Sequence, residues 1–391
     1  MDRLSRWDFY FLAALLLGVT LLVVPSLELV QYQGGLDEGF YLEYAQRVAQ
    51  EGPRQAFPEL GKFYAESAST TRFFPHPLRI VAVFLGAAAV RVGGPYFTSL
   101  SLLSLSAFFL LLGVTFFGSK WVFGRRTAVW TTFLLGLAPL HLAMARRALS
   151  DTLISASLLI CLWSFLWACR SKKSASSRWI VIAVTYAAAL LVKESAFLLL
   201  PLSLLYLGGR AWARRQPFPV WPACAVSFIP VALAGLVAVW LFGSFELVWQ
   251  TLSIFHSGAS ANPYAQRYQE GPWIRFVVDF LLISPWSMLL YVAWMGVLLT
   301  ERPPAEEVWF WSLLPVLFLA FSLFLPAGKN VRLVLFLEMP IRLCVVLFLQ
   351  RLWGEGGGFW RTAAQAGVVL LVAATDLNSF YRLFVFEGIY D

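Results

Sequence analysis

An all-α, polytopic membrane protein is what this sequence predicts, and three observations carry the prediction. Apolar residues make up 59% of the 391-residue chain and charged residues only 13%, about half the ~25% of a soluble domain. Apolar runs long enough to cross a hydrocarbon core of ~30 Å recur along the whole chain. The cations behind a net charge of +8 gather in short loops between those runs, the signature of cytoplasmic loops. In a soluble chain such an excess would suggest nucleic acid; here no nucleic-acid partner is expected.

The first run, Phe9 to Val30, follows Arg3 and Arg6. It exceeds the roughly 7–15 residues of a signal-peptide core and no small-residue cleavage site follows, so it reads as a retained signal anchor. Further runs cover 96–117, 127–145, 150–169, 179–193, 194–208, 219–242, 276–299, 308–326, 331–352 and 362–378. Pro77 to Val92 is shorter, and the charge bias decides it. If it spans, Lys120, Arg125 and Arg126 fall outside, with Arg170, Lys172, Lys173, Arg178 and with Arg210, Arg214, Arg215. If it lies in the interface or re-enters, all three clusters fall inside with Arg3 and Arg6. The expectation is therefore about 11 transmembrane helices in a single integral domain, 1–391, with no soluble domain. The N-terminus is cytoplasmic and the C-terminus external, in a plasma (inner) membrane. The 300–307 loop, carrying Glu301, Arg302, Glu306 and Glu307, is neutral to acidic and follows the bias least.

Two external loops are long, 31–95 and 244–274. In the first, Phe40, Tyr41, Tyr44, Ala45, Val48 and Ala49 recur at helical spacing, which reads as an amphipathic helix lying on the membrane. Trp7, Trp121, Trp179, Trp212, Trp221, Trp273, Trp353 and Trp360 sit near span ends and read as interfacial anchors. Cys161, Cys169, Cys224 and Cys344 lie in or beside apolar runs, and the three histidines, His76, His141 and His256, form no metal-binding spacing. Disulfide and zinc chemistry gain no support. No cofactor is expected, and metal dependence is left open.

This topology sorts the acids: Asp37, Glu38, Asp151, Glu194, Glu246 and Asp376 all come out on or near the external face. Asp37 precedes a helical run and has an ordinary reading, accepting hydrogen bonds from free backbone N–H groups. Its company gives a second one. Arg146, Arg147 and Asp151 fall at the turn between the third and fourth spans, Lys193 and Glu194 between the fifth and sixth, and Lys329 and Arg332 where the tenth begins. Each cation alone reads as a snorkelling anchor. Together, cations converging on carboxylates suit an anionic group at the outer surface, such as a lipid phosphate. Glu338 with Arg342 and Arg275 with Asp279 are spaced i, i+4 inside spans; paired charges at that depth are expected to line a polar groove.

The order of these motifs resembles the GT-C superfamily of polyprenyl-phosphate-sugar glycosyltransferases. It is most similar to the family-39 type, protein O-mannosyltransferases and the bacterial aminoarabinose transferase of lipid A. The likeness covers most of 1–210 and, more weakly, 326–350. Asp37, Glu38 and Tyr41 match the family's Asp-Glu pair and tyrosine-bearing juxtamembrane helix. His76, Pro77 and Leu78 match its His-Pro-Pro-Leu element with one proline missing. Arg146 or Arg147 with Asp151, then Lys193 with Glu194, match the later motifs.

The resemblance implies a GT-C fold with juxtamembrane helices in the first external loop. It also implies inverting transfer of a sugar from a polyprenyl-phosphate donor to a hydroxyl of an unnamed glycan, lipid or protein acceptor. Asp37 would be the general base, Asp151 an orienting acid and Glu38 a supporting one. His76, Arg146, Arg147, Lys193, Lys329 and Arg332 would hold the donor phosphate, while Tyr41, Glu194, His256, Tyr264 and Arg267 would contact sugar or acceptor. The short 244–274 loop and the missing soluble tail suggest a compact prokaryotic enzyme. A transporter or flippase of lipid-linked sugars would be expected to show internal repeats and midplane charges; here no repeat is evident and most charges cluster at one face. A non-catalytic membrane subunit on the same scaffold is the other alternative.

Overall fold

A computed structural model describes residues 5–29, 37–68, 74–170, 176–261, 271–272, 274–300, 305–322, 330–354 and 358–389. Among them the secondary structure is helical throughout, with no β-strand. Helix α1 (Arg6–Val23) opens on a capping box: the Asp8 N–H donates to Ser5 Oγ at 3.2 Å, and the Ser5 N–H donates to Asp8 Oδ2 at 3.0 Å. Two reciprocally satisfied donors fix the start of that helix. Three helices follow in the first long loop: α2 (Asp37–Glu51), α3 (Pro53–Ser67), which Pro53 can open because it lacks an N–H to leave unsatisfied, and α4 (Ile80–Gly93).

Helix α5 (Phe97–Phe123) turns at Gly124, whose φ of 87° is a left-handed conformation suited to glycine, into α6 (Arg125–Gly136). Pro139 opens α7 (Pro139–Ala145) at 60° to α6. There follow α8 (Asp151–Arg170), α9 (Ser176–Val192), a 3-10 helix at Glu194–Leu198, α10 (Leu199–Ala213), α11 (Val220–Val226), α12 (Phe228–Phe242) and α13 (Phe245–Ala261). The last part holds α14 (Arg275–Ile283), α15 (Pro285–Thr300), α16 (Glu306–Ser322), a 3-10 helix at Val331–Leu337, α17 (Glu338–Trp353) and α18 (Phe359–Ser379). Helix α5 packs closely on α8 because Gly118 leaves room for the Trp163 indole; a Cβ there would come within 2.3 Å of the ring.

Seven of the described helices are long and apolar enough to cross a membrane, eight if the bent α6–α7 pair is one span. The chain is a multi-pass membrane protein, but eleven spans are not confirmed. Its charges define two faces. Lys120 and Arg125, at the end of α5 and the start of α6, grip the buried carboxylate of Asp8 at 2.8 and 2.7 Å. The start of α1 and the end of α5 therefore share one face, and so the segment between them enters and leaves on the other. Helix α4 does not reverse the direction of the chain, as the charge bias predicts for 77–92. Arg170 lies over the Trp121 ring at 5.0 Å and pairs with Glu307 at 3.2 Å, while Arg210 pairs with Glu306 at 3.2 Å. Lys120, Arg125, Arg170 and Arg210 thus meet Glu306 and Glu307, the first residues of α16, on one basic face, where the acids partly neutralise the cations.

Three expectations need correction. The apolar stripe of α2 is real, with Phe40, Tyr41, Tyr44, Ala45 and Val48 buried, but it packs on α3 and α4 rather than on lipid. Trp179 is buried against Phe165 rather than at the interface, whereas Trp7, Trp212 and Trp360 are exposed as anchors should be. Glu338 and Arg342 line no groove. Both are sealed in the core, where Arg342 donates to Asp376 Oδ2 at 2.7 Å, to the Leu134 carbonyl at 3.0 Å and to Ser284 Oγ at 3.2 Å. A charge in that low-dielectric interior persists only with such partners, and they come from α6, α14–α15 and α18, which periodicity within one helix does not reveal.

Candidate active site

The face opposite the basic one gathers the polar ends of six elements: α2, the turn before α4, the α7–α8 turn, the α9–α10 turn, α13 and the 3-10 helix at Val331–Leu337. Asp37 and Glu38 occupy the first turn of α2, where carboxylates complement the helix dipole. Their side chains diverge. Glu38 is buried and accepts both from Arg147 Nε at 2.7 Å and from Arg147 Nη2. Asp37 is 46% exposed, with Arg332 Nη2 3.9 Å away. Arg332 is held there because Asn330 caps the 3-10 helix, its side chain accepting from the Arg332 N–H at 3.0 Å.

One turn along α2, the Tyr41 hydroxyl lies 3.1 Å from Ser150 Oγ and accepts from Arg79 Nη1. Burial pushes the Tyr41 phenol up to about 12, with Asp37 adding to the effect and Arg79 opposing it, so it stays protonated. Arg79 is a hub. Besides Tyr41 it donates to Glu194 through Nε at 2.9 Å and through Nη2. Burial works against the Arg79 charge, but Glu194 and Tyr41 more than offset it and hold the guanidinium well above its ordinary value. His76 Nε2 lies 3.3 Å from the same carboxylate, and the imidazole packs edge-on against Phe255 of α13. Burial draws His76 below its usual value against the pull of Glu194, so it is neutral near pH 7. Asp151, opening α8, accepts from Lys193 Nζ at 2.7 Å and ties the α7–α8 turn to the α9–α10 turn.

Of the residues singled out in the sequence, Asp37, Glu38, Tyr41, His76, Arg147, Asp151, Lys193, Glu194 and Arg332 come together here. Arg146 does not join them: its guanidinium donates to the Phe384 carbonyl, reaches the Ser26 carbonyl at 3.5 Å and lies over the Phe380 ring. His256 is exposed on α13. Lys329, Tyr264 and Arg267 lie outside the described residues. The sequence reading missed Arg79 and Ser150. Arg79 directly follows the His76-Pro77-Leu78 element, and a lone cation at the mouth of an apolar run was the available signal.

The arrangement sorts its acids by availability. Glu38, Asp151 and Glu194 each meet a cation within hydrogen-bonding distance, whereas Asp37 is half-exposed beside a more distant one. Chemically, among the described residues, the cluster offers the half-exposed Asp37 carboxylate beside fixed cations.

No family model and no curated protein matches the sequence. Solved structures do match. An oligosaccharyltransferase, AglB from Archaeoglobus fulgidus, solved with an inhibitory peptide and a dolichol-phosphate, aligns with a TM-score of 0.60 at 12% identity over 98% of this chain and 56% of its own. ArnT from Cupriavidus metallidurans bound to undecaprenyl phosphate aligns with a TM-score of 0.61 at 17% identity over 94% of this chain and 64% of its own. ArnT in the apo state gives 0.56 at 14% over 98% and 72%. The chain thus spans less than two thirds of the first two proteins' length. At these identities the likeness is one of architecture: the chain has the GT-C fold.

Proposed function

We propose that this protein is an inverting glycosyltransferase that moves a sugar from a polyprenyl-phosphate donor to an acceptor hydroxyl at the external membrane face. The observation that carries the reading is the accessible Asp37 carboxylate, set at the opposite face from the basic loops and beside Arg332. Polyprenyl phosphates in two proteins of the same fold support the donor class.

In this mechanism Asp37 takes the proton of the acceptor hydroxyl as its oxygen attacks the anomeric carbon, and the bond to the donor phosphate breaks. That carbon passes through an oxocarbenium-like state, and negative charge grows on the departing lipid phosphate. Fixed cations in a site shielded from water stabilise such charge most. Arg332, its side chain 21% exposed, is the cation nearest Asp37, with the buried Lys193 and Arg79 deeper in the same cluster. Glu38 serves by anchoring α2 to the α7–α8 turn through Arg147, which holds Asp37 at the surface. Tyr41 and Ser150 offer neutral hydroxyls to sugar or phosphate oxygens.

Membranes holding wild type or Asp37→Asn, supplied with a radiolabelled polyprenyl-phosphate sugar, test the reading. Wild type should release label from the lipid into an acceptor and the variant should not. Equal transfer by both, or intact lipid crossing leaflets without cleavage of the sugar–phosphate bond, would refute it.

A further inference from the structure

A charged cavity lies at the other end of the helices that meet at the candidate active site. Asp151 and Arg170 are the two ends of the 20-residue α8, which at 1.5 Å per residue puts them about 29 Å apart. Around Arg170, an open cavity of about 340 Å³ is lined by the last turns of α8 and α10 and the first turn of α16. Arg170, Arg210 and Arg214 supply three guanidiniums; Glu306 and Glu307 supply two carboxylates; Leu166, Cys169 and Tyr206 form the apolar remainder.

The acids hold the arginines by particular edges. Glu306 accepts from Arg214 through Nε at 3.0 Å and through Nη2 at 2.5 Å and lies in ion-pair range of Arg210 Nε at 3.2 Å, while Glu307 lies 3.2 Å from Arg170 Nε. A guanidinium carries five N–H donors, so the two bonds from Arg214 to Glu306 orient that side chain and still leave it N–H groups for another acceptor. Three guanidiniums against two carboxylates leave one positive charge for an anion. Planar forks of this kind suit a phosphate, which they grip bidentately. The depth is that of a headgroup: Arg170 rests on the Trp121 ring at 5.0 Å, and Trp212, two residues from both Arg210 and Arg214 at the end of α10, is 85% exposed. Exposed tryptophan marks the membrane–water interface.

We infer that this cavity on the basic face is a phosphate-anion site, filled by the headgroup of an anionic phospholipid of that leaflet or by free phosphate. It is separate from the candidate active site and does not depend on the proposed reaction.

The full chain in nanodiscs of phosphatidylcholine, doped with phosphatidylglycerol, tests this by native mass spectrometry of co-ejected lipid. Phosphatidylglycerol should be retained preferentially. The Arg210→Gln and Arg214→Gln double variant should cut that preference about tenfold. Glu306→Gln, which removes the competing carboxylate while keeping its shape, should raise it by a similar factor. An increase cannot come from misfolding, so the pair of variants separates binding from stability. Retention abolished by millimolar inorganic phosphate, with no preference between lipids, assigns the site to free phosphate. Equal retention of both lipids without any phosphate effect, or preference unchanged in both variants, overturns the inference.

Discussion

Asp37 and Glu38 are chain neighbours with the same functional group, yet neutralising each should have opposite consequences. The Asp37 side chain is 46% exposed and 3.9 Å from Arg332, a geometry in which an ion pair contributes ~0–1 kcal/mol to stability. Glu38 and Arg147 are 4% and 6% exposed and share two hydrogen bonds. Removing the carboxylate from a buried pair costs about 3–5 kcal/mol, because the remaining charge stays desolvated. Positioned base catalysis is worth roughly 10²–10⁴-fold, about 3–5 kcal/mol of barrier. Asp37→Asn should therefore lower turnover of a polyprenyl-phosphate sugar by that factor while leaving the thermal midpoint in detergent within about 2 °C of wild type, a span that matches ~1 kcal/mol or less. Glu38→Gln should lower the midpoint by several degrees, and whatever protein stays folded should keep turnover within about tenfold. A stable but inactive Glu38→Gln beside an active Asp37→Asn would exchange the two roles and refute the reasoning.

Arg342→Leu should destabilise by about 3–5 kcal/mol, seen as early loss of monodisperse protein on heating, since Asp376 and Glu338 would remain buried without their guanidinium. Gly118→Val should cost about 1–3 kcal/mol in the same assay, as its side chain would overlap the Trp163 ring between α5 and α8. Arg79→Lys keeps the charge but cannot span Tyr41 and both Glu194 oxygens; turnover should fall at least tenfold with little change in the charge of the site. His76, drawn below its ordinary value by burial, takes up its proton later in the folded chain than in the unfolded one as pH falls. Stability contributed by neutral His76 is thus fully present above pH ~6.5 and declines below it, by at most about 1.4 kcal/mol per pH unit. His76→Phe should flatten stability between pH 6.5 and 5; an unchanged slope would show that another group titrates there.

Membrane class, the two faces and most of the site were legible because each rests on a one-dimensional signal. Run length gives spans, and cation placement gives faces. Motif order brought Asp37, His76, Asp151 and Lys193 to a single surface. What was not legible depends on partners distant in sequence. Arg146 and Arg147 are adjacent and identical, and only the fold sends one to Glu38 and the other to the Phe384 carbonyl. Arg79, in the ambiguous 77–92 run, drew no reading, because its partner Glu194 lies 115 positions later. Helix α3 went unread because its first turn begins at proline and its stripe is short, and α2 was assigned to lipid because periodicity reports an apolar face without naming what covers it.

The modest length of α4 has a bearing on how such a chain could diverge. Its 14 residues reach about 21 Å, whereas a crossing needs ~20 residues. The segment stands under two turns short of becoming a span. Inserting those turns would reverse the parity of every helix downstream, sending the arginines at the ends of α8 and α10 across the bilayer and Asp151 with Lys193 to the side where they had been. A small insertion here is therefore a change of compartment for the remaining three quarters of the chain, and any lineage of such proteins must keep this helix short or rewrite its loop charges at the same time.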